Sequence, residues 1–96
     1  MWIRSQSKKV LLNVNQVVIN NTKDESEYYI QGYSERGIDI LGVYSTEEKV
    51  LKVLDEIQDA IEDTDYYRID NIGHGTYAFV KCVQVYQMPQ DEDVKI

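Results

Sequence analysis

Any chemistry in this chain would have to be assembled from few parts. The single histidine, His74, stands between Gly73 and Gly75, a setting that leaves an imidazole mobile and exposed. General acid–base work needs a partner beside it, and no spacing marks one. The single cysteine, Cys82, falls among apolar residues of an extended run, where a thiol behaves as a small buried hydrophobe. One cysteine closes no internal disulfide and builds no cysteine-based metal site, and one histidine is too few for a histidine site. Gly73-His74-Gly75 lacks the further glycine, the lysine and the strand–loop–helix setting of a phosphate loop. Asp55, Asp59, Glu62 and Asp63 share one side of a helix and could in principle meet a divalent cation. They do not follow a calcium-loop pattern, and a solvated acidic face accounts for them. These residues predict a protein that is not an enzyme and that holds neither metal nor cofactor.

Binding chemistry is better supplied. Tyr28, Tyr29, Tyr33, Tyr44, Tyr66, Tyr67, Tyr77 and Tyr86 make eight tyrosines in 96 residues, more than one small core needs. A phenol carries a large apolar area and a polar tip, which suits interfaces. Either half of these rings simply line a sheet, or they form an interaction face, self-association included. The chain ends supply a second set. If the first and last strands are neighbours, Trp2, Arg4, Gln6, Tyr86 and Met88 form a shared binding surface. Trp2 would be its anchor and Arg4 its source of charge-assisted bonds. The alternative is a Trp2 buried in the core and an Arg4 in a surface ion pair.

One helix and several strands must position these residues. Over Ser45 to Ile61, apolar residues at Val50, Val53, Leu54, Ile57, Ala60 and Ile61 recur in steps of three and four, the stripe of an amphipathic helix. Ser45 reads as its N-cap, with Glu48 three residues on completing a capping box. Extended segments are predicted at Met1 to Gln6, Val10 to Val14, Val17 to Ile19, Tyr28 to Tyr33, Ile38 to Tyr44 and Tyr66 to Ile69. Thr76 to Met88 reads as the longest strand, stopped by Pro89. Asn13 and Asn15 mark a kink, and Ser34-Glu35-Arg36-Gly37 a hairpin turn in which Gly37 can take a positive φ. The expected fold is α+β, an antiparallel sheet of about five strands with one helix on one face. Residues 1–90 form a single domain, and 91–96 an acidic, solvated C-terminal tail.

Composition sets the outer bounds. A hydrophobic fraction of 43% supports one modest folded core. The net charge of −7 comes largely from Glu47 to Asp70, with nine acids against three bases. Direct nucleic-acid binding needs a basic face and an anionic membrane needs the same, so neither is expected. No apolar run is long enough to span a bilayer and the N-terminus has no secretory pattern, which predicts a cytoplasmic protein.

Met1-Trp2-Ile3-Arg4-Ser5-Gln6, Ile40-Leu41-Gly42-x-Tyr44-Ser45-Thr46-Glu47, Val53-Leu54-Asp55-Glu56-Ile57 and Tyr86-Gln87-Met88-Pro89 resemble a group of small uncharacterised proteins of Gram-positive bacteria, their phages and prophages. The resemblance covers most of the chain and implies a mobile-element origin. Three functions follow as expectations. The first is a phage-related binding module acting through protein–protein contact and self-association. The second is a protein that sequesters a nucleotide-like signalling molecule. The third is an acidic mimic of nucleic acid that uses the Asp55, Asp59, Glu62 and Asp63 face to occupy a host DNA-binding protein.

Overall fold

A computed structural model describes residues 1–62, 66–69, 78–81 and 85–96, with the backbone alone for 66–69 and 78–81. Asp63, His74, Tyr77 and Cys82 therefore lie outside the described residues, as do the side chains of Tyr66 and Tyr67. The described elements are β1 (Trp2–Arg4), β2 (Leu11–Asn13), β3 (Gln16–Asn21), β4 (Tyr28–Ser34), β5 (Gly37–Tyr44), α1 (Glu47–Glu62), β6 (Tyr66–Ile69), β7 (Ala78–Lys81) and β8 (Val85–Gln87). A 3-10 turn, Asp91–Asp93, closes the chain. The fold is α+β, with the helix packed on strands.

The strands divide among sheets rather than joining one. β3, β4 and β5 form an antiparallel meander; β2, β1 and β8 form a second sheet; β6 and β7 pair with each other. β1 runs antiparallel to β2 but parallel to β8. The expected strand from Thr76 to Met88 falls partly outside the described residues. Its described parts, β7 and β8, pair with different partners, β6 and β1. Alternation shows that a run is extended but not where it changes partner.

The meander explains an irregularity in its own sequence. Gln31 pairs with Ile40, but Ile30 pairs with Gly42, so Leu41 is an extra residue on β5. This bulge reverses the side-chain parity of the strand. Ile38 and Ile40 face away from the core, while Leu41 and Tyr44 are buried in it. At the other end of the β4–β5 hairpin, Gly37 adopts φ 127° to close the turn through Glu35 and Arg36, a conformation that favours glycine.

The inner face of the meander is covered by two neighbours. Val50, Val53 and Ile57 of α1 join Ile30, Leu41 and Tyr44 in one buried cluster, which Ile3, Leu12 and Val14 continue from the terminal sheet. Gly32 sits where the two sheets meet. A Cβ there would lie 2.8 Å from both Leu41 Cδ1 and Val14 Cγ1, so the missing side chain sets the sheet separation.

The helix start differs from expectation. Thr46, not Ser45, is the cap. Its Oγ1 accepts from the Lys49 N–H at 3.2 Å, and its carbonyl accepts the first helical bond, from Val50. The Ser45–Glu48 capping box is not formed, because the Ser45 N–H and hydroxyl both donate to Asp91 Oδ1, at 2.8 and 3.1 Å. The segment after Pro89, expected to be solvated, is docked. Val94 is buried, the Tyr44 hydroxyl donates to the Pro89 carbonyl at 2.8 Å, and Lys49 Nζ reaches both the Asp91 carbonyl and its carboxylate. Lys52 Nζ donates to the Lys95 carbonyl.

Candidate functional site

The parallel pairing of β1 with β8 makes the chain ends neighbours, as the proposed shared surface required. The register then splits that surface in two. Trp2 pairs with Val85, Ile3 with Tyr86 and Arg4 with Gln87. Paired residues share a face and successive residues alternate, so Trp2 and Arg4 point outward while Tyr86 and Met88 point inward. Met88 is a core residue, 1% exposed, and presents nothing to a partner. Tyr86 packs against the core and donates its hydroxyl to Glu56 Oε2 at 2.9 Å. Burial, aided by that bond, pushes the Tyr86 phenol up, and burial does the same for Tyr44. Both rings therefore remain hydrogen-bond donors.

Gln6 is an internal bracket. Its Nε2 donates to the Val43 and Pro89 carbonyls at 3.1 and 3.2 Å, and its Oε1 accepts from the Val43 N–H at 3.0 Å. The Gln6 backbone N–H donates to the Leu41 carbonyl, and Gln90 Nε2 returns to the Gln6 carbonyl. Side chain and backbone together occupy the outer edge of β5 around Leu41 and Val43. Of the five residues proposed, Trp2 and Arg4 alone stay on the surface. Trp2 is 39% exposed, so it is not a core residue, and Arg4 is exposed with its Nε on the Lys8 carbonyl at 3.1 Å rather than in an ion pair. On the helix, Asp55, Asp59 and Glu62 are exposed, and Glu62 accepts from Gln58 Nε2. Among the described residues no group of three or more His, Cys, Asp or Glu is placed to hold a metal, and no helix is long and apolar enough to cross a membrane.

Two surface features stand out. The first is a cleft of about 550 Å³ between the outer side of the terminal sheet and the β4–β5 turn. Trp2 and Leu11 form one wall, Asn13 to Asn15 the floor, and Ser34 to Arg36 the other wall. Alternation along Leu11-Leu12-Asn13-Val14-Asn15 turns Leu12 and Val14 to the core and Leu11, Asn13 and Asn15 outward, and all five residues border the cleft. The two asparagines do mark the expected break between β2 and β3, and their period of two was the available signal for this floor. Nothing local in the sequence relates Arg36 to Trp2.

The second feature is the outer face of the meander. Register places Val18, Tyr29, Gln31, Tyr33, Ile38 and Ile40 on it, opposite the helix. Ile38 and Ile40 are 55% and 56% exposed. The tyrosines thus serve two purposes: Tyr28, Tyr44 and Tyr86 pack inward on the core, whereas Tyr29 and Tyr33 look outward.

Comparison with known proteins gives a family match. A family described as a domain of unknown function, DUF7336, matches residues 17–83. That span runs from the second residue of β3 through β7 and stops short of β1, β2 and β8. No curated protein and no solved structure matches the chain.

Proposed function

The chain belongs to the DUF7336 family of unknown function, and we propose that it is a non-enzymatic binding module acting through protein–protein contact, with a second copy of itself as its first partner. The observation that carries this reading is the outer face of the meander, where two isoleucines more than half exposed flank Tyr29, Tyr33 and Val18. Apolar area of this kind, placed opposite the core, is the usual mark of a contact surface. The tyrosines supply it with anchors that lose little side-chain freedom on binding. Three of the groups with displaced titrations are tied to structural partners rather than to one another. Tyr44 and Tyr86 are held by structural bonds to Pro89 and Glu56, and Asp91 by Ser45 and Lys49. The setting we propose, following the resemblance of the chain ends, is a phage or prophage protein working in the host cytoplasm.

Sedimentation equilibrium tests the reading. The wild-type chain is expected to form a concentration-dependent dimer. The variant Ile38→Lys/Ile40→Lys is expected to be monomeric with an unchanged melting temperature, because neither residue touches the core. A wild-type chain that stays monomeric at about 100 μM, far above the dissociation constant of a specific dimer, would overturn it.

A further inference from the structure

We propose that the cleft between Trp2 and the Glu35–Arg36 turn binds a small anionic ligand with a planar ring, of the nucleoside monophosphate class. Its volume, about 550 Å³, lies within the roughly 300–1,000 Å³ of small-ligand sites. Trp2 sits on the middle strand of its sheet, yet its indole is 39% exposed. Its cross-strand neighbours are Asn13 and Val85, so no aromatic ring of those strands covers it. An indole face open to a cleft is a stacking platform for a base.

Trp2, Asn15 and Arg36 bring donors to the cleft that the protein leaves open, and Asn15 and the Ser34 hydroxyl can also accept. Neither the Trp2 indole N–H, nor the Arg36 guanidinium, nor the Asn15 amide makes a hydrogen bond or an ion pair with the described residues. Asn13 already spends its carbonyl oxygen on the Met1 amino group, which leaves its amide N–H groups. Glu35 is the one acid in the lining. Open donors call for an acceptor-rich occupant, and a guanidinium matches a phosphate with paired bonds.

Charge points the same way. The first 23 residues hold four bases and no acid, while the remaining 73 hold six bases and all 17 acids. Arg4, Lys8 and Lys9 stand on the β1–β2 hairpin, which supplies the Trp2 wall. An acidic protein with one basic end draws a small anion there. The same acidity disfavours a long polyanion, which would have to pass over the rest of the molecule.

Trp2 is the only tryptophan, so its emission reports the cleft directly. AMP and UMP are titrated against the full chain, with adenosine, inorganic phosphate and an oligoglutamate peptide as the other arms. Saturable quenching is expected for both nucleotides. Adenosine and phosphate alone are expected to bind at least about tenfold more weakly, since each offers only the ring or only the anion. Arg36→Ala, at an exposed turn, is expected to keep the wild-type melting temperature and to weaken AMP about tenfold. Glu35→Gln is expected to tighten it several-fold. Trp2→Ala, followed by calorimetry, is expected to lose it. The proposal is overturned if neither nucleotide saturates by about 1 mM, if Arg36→Ala binds AMP as well as the wild type, or if phosphate alone or the peptide alone accounts for the binding.

Discussion

The two three-stranded sheets reach the same core by different means. In the β3–β4–β5 meander the strands are six, seven and eight residues long and joined by short antiparallel connections. Every strand of the β2–β1–β8 sheet has three residues, and its parallel pair joins opposite ends of the chain. Three paired positions leave much of the neighbouring backbone without a ladder partner. Side chains fill that role: Gln6 brackets Val43 and Pro89, Gln87 Nε2 donates to the Ser5 carbonyl, Gln90 to the Gln6 carbonyl, and Tyr44 to Pro89. A long strand carries its stability in the backbone, where single substitutions reach it weakly. A short one carries it in a few side chains, each of which matters. The family match covers the meander and the helix and leaves out the terminal sheet. The cleft we assign to a ligand lies on the seam between the two.

Substitution of matched residue types sharpens this contrast. Ile3, fully buried at the centre of the terminal sheet, is expected to cost about 2–5 kcal/mol when truncated to alanine. Ile38→Ala, on the open face of the meander, is expected to stay within about 0.5 kcal/mol. Urea unfolding of both variants provides the check, and equal costs would break the comparison.

The two glutamines come next. Gln6→Ala takes the side-chain partner from both the N–H and the carbonyl of Val43 in a partly buried setting, while the Pro89 carbonyl keeps the Tyr44 hydroxyl, at an expected cost of about 1–3 kcal/mol. Gln31 makes one long, exposed contact, 3.5 Å to Asn20, so Gln31→Ala is expected to cost less than about 0.5 kcal/mol. Protection from hydrogen exchange at Val43 should fall in the first variant and not in the second.

How far the sequence revealed the fold follows the same division. The helix and the strands of the meander were legible because a period of 3.6 or 2 is a local property. The β4–β5 turn was legible because Gly37 marks it. The pairing of β1 with β8 was expected only as a condition, and its register was beyond reach. A slip of one residue is what separates Tyr86 and Met88 from Trp2 and Arg4. The helix cap was misplaced by one residue for a similar reason. Ser45 and Thr46 are both competent caps, and the choice is made by Asp91, 46 residues away from Ser45, which takes the Ser45 N–H and hydroxyl. In the cleft, Trp2 was legible as a surface anchor. Arg36 was not, because the wall it forms belongs to a different sheet.

The cap gives the third test. Thr46→Ala removes the acceptor for the Lys49 N–H and is expected to cost about 1 kcal/mol. Glu48→Ala, which would remove the reciprocal half of a capping box started by Ser45, is expected to change stability by less than about 0.5 kcal/mol. Thermal unfolding of the pair separates the two caps. An unaffected Thr46→Ala would return the role to Ser45.

The smallest effect lies where the terminal segment meets the helix. The Ser45 N–H bonded to the Asp91 carboxylate, with its hydroxyl and the Lys49 ammonium adding to it, holds that carboxyl below the usual carboxylate range. A carboxyl whose pKa is lower in the folded chain than in the unfolded one stabilises the fold fully above the unfolded value, about 3.9. That contribution fades as the pH falls through the lower, folded value, where both states are protonated. The Asp91 side chain is 40% exposed, so water and salt screen the interaction and its worth is about 0.5 kcal/mol. Asp91→Asn should therefore lower stability slightly at pH 7 and converge with the wild type in acid, as followed by urea unfolding between pH 7 and pH 2.5. Equal slopes for the two proteins would mean that the segment after Pro89 is held by Tyr44 and the glutamine brackets alone, and that its charge contributes nothing to docking.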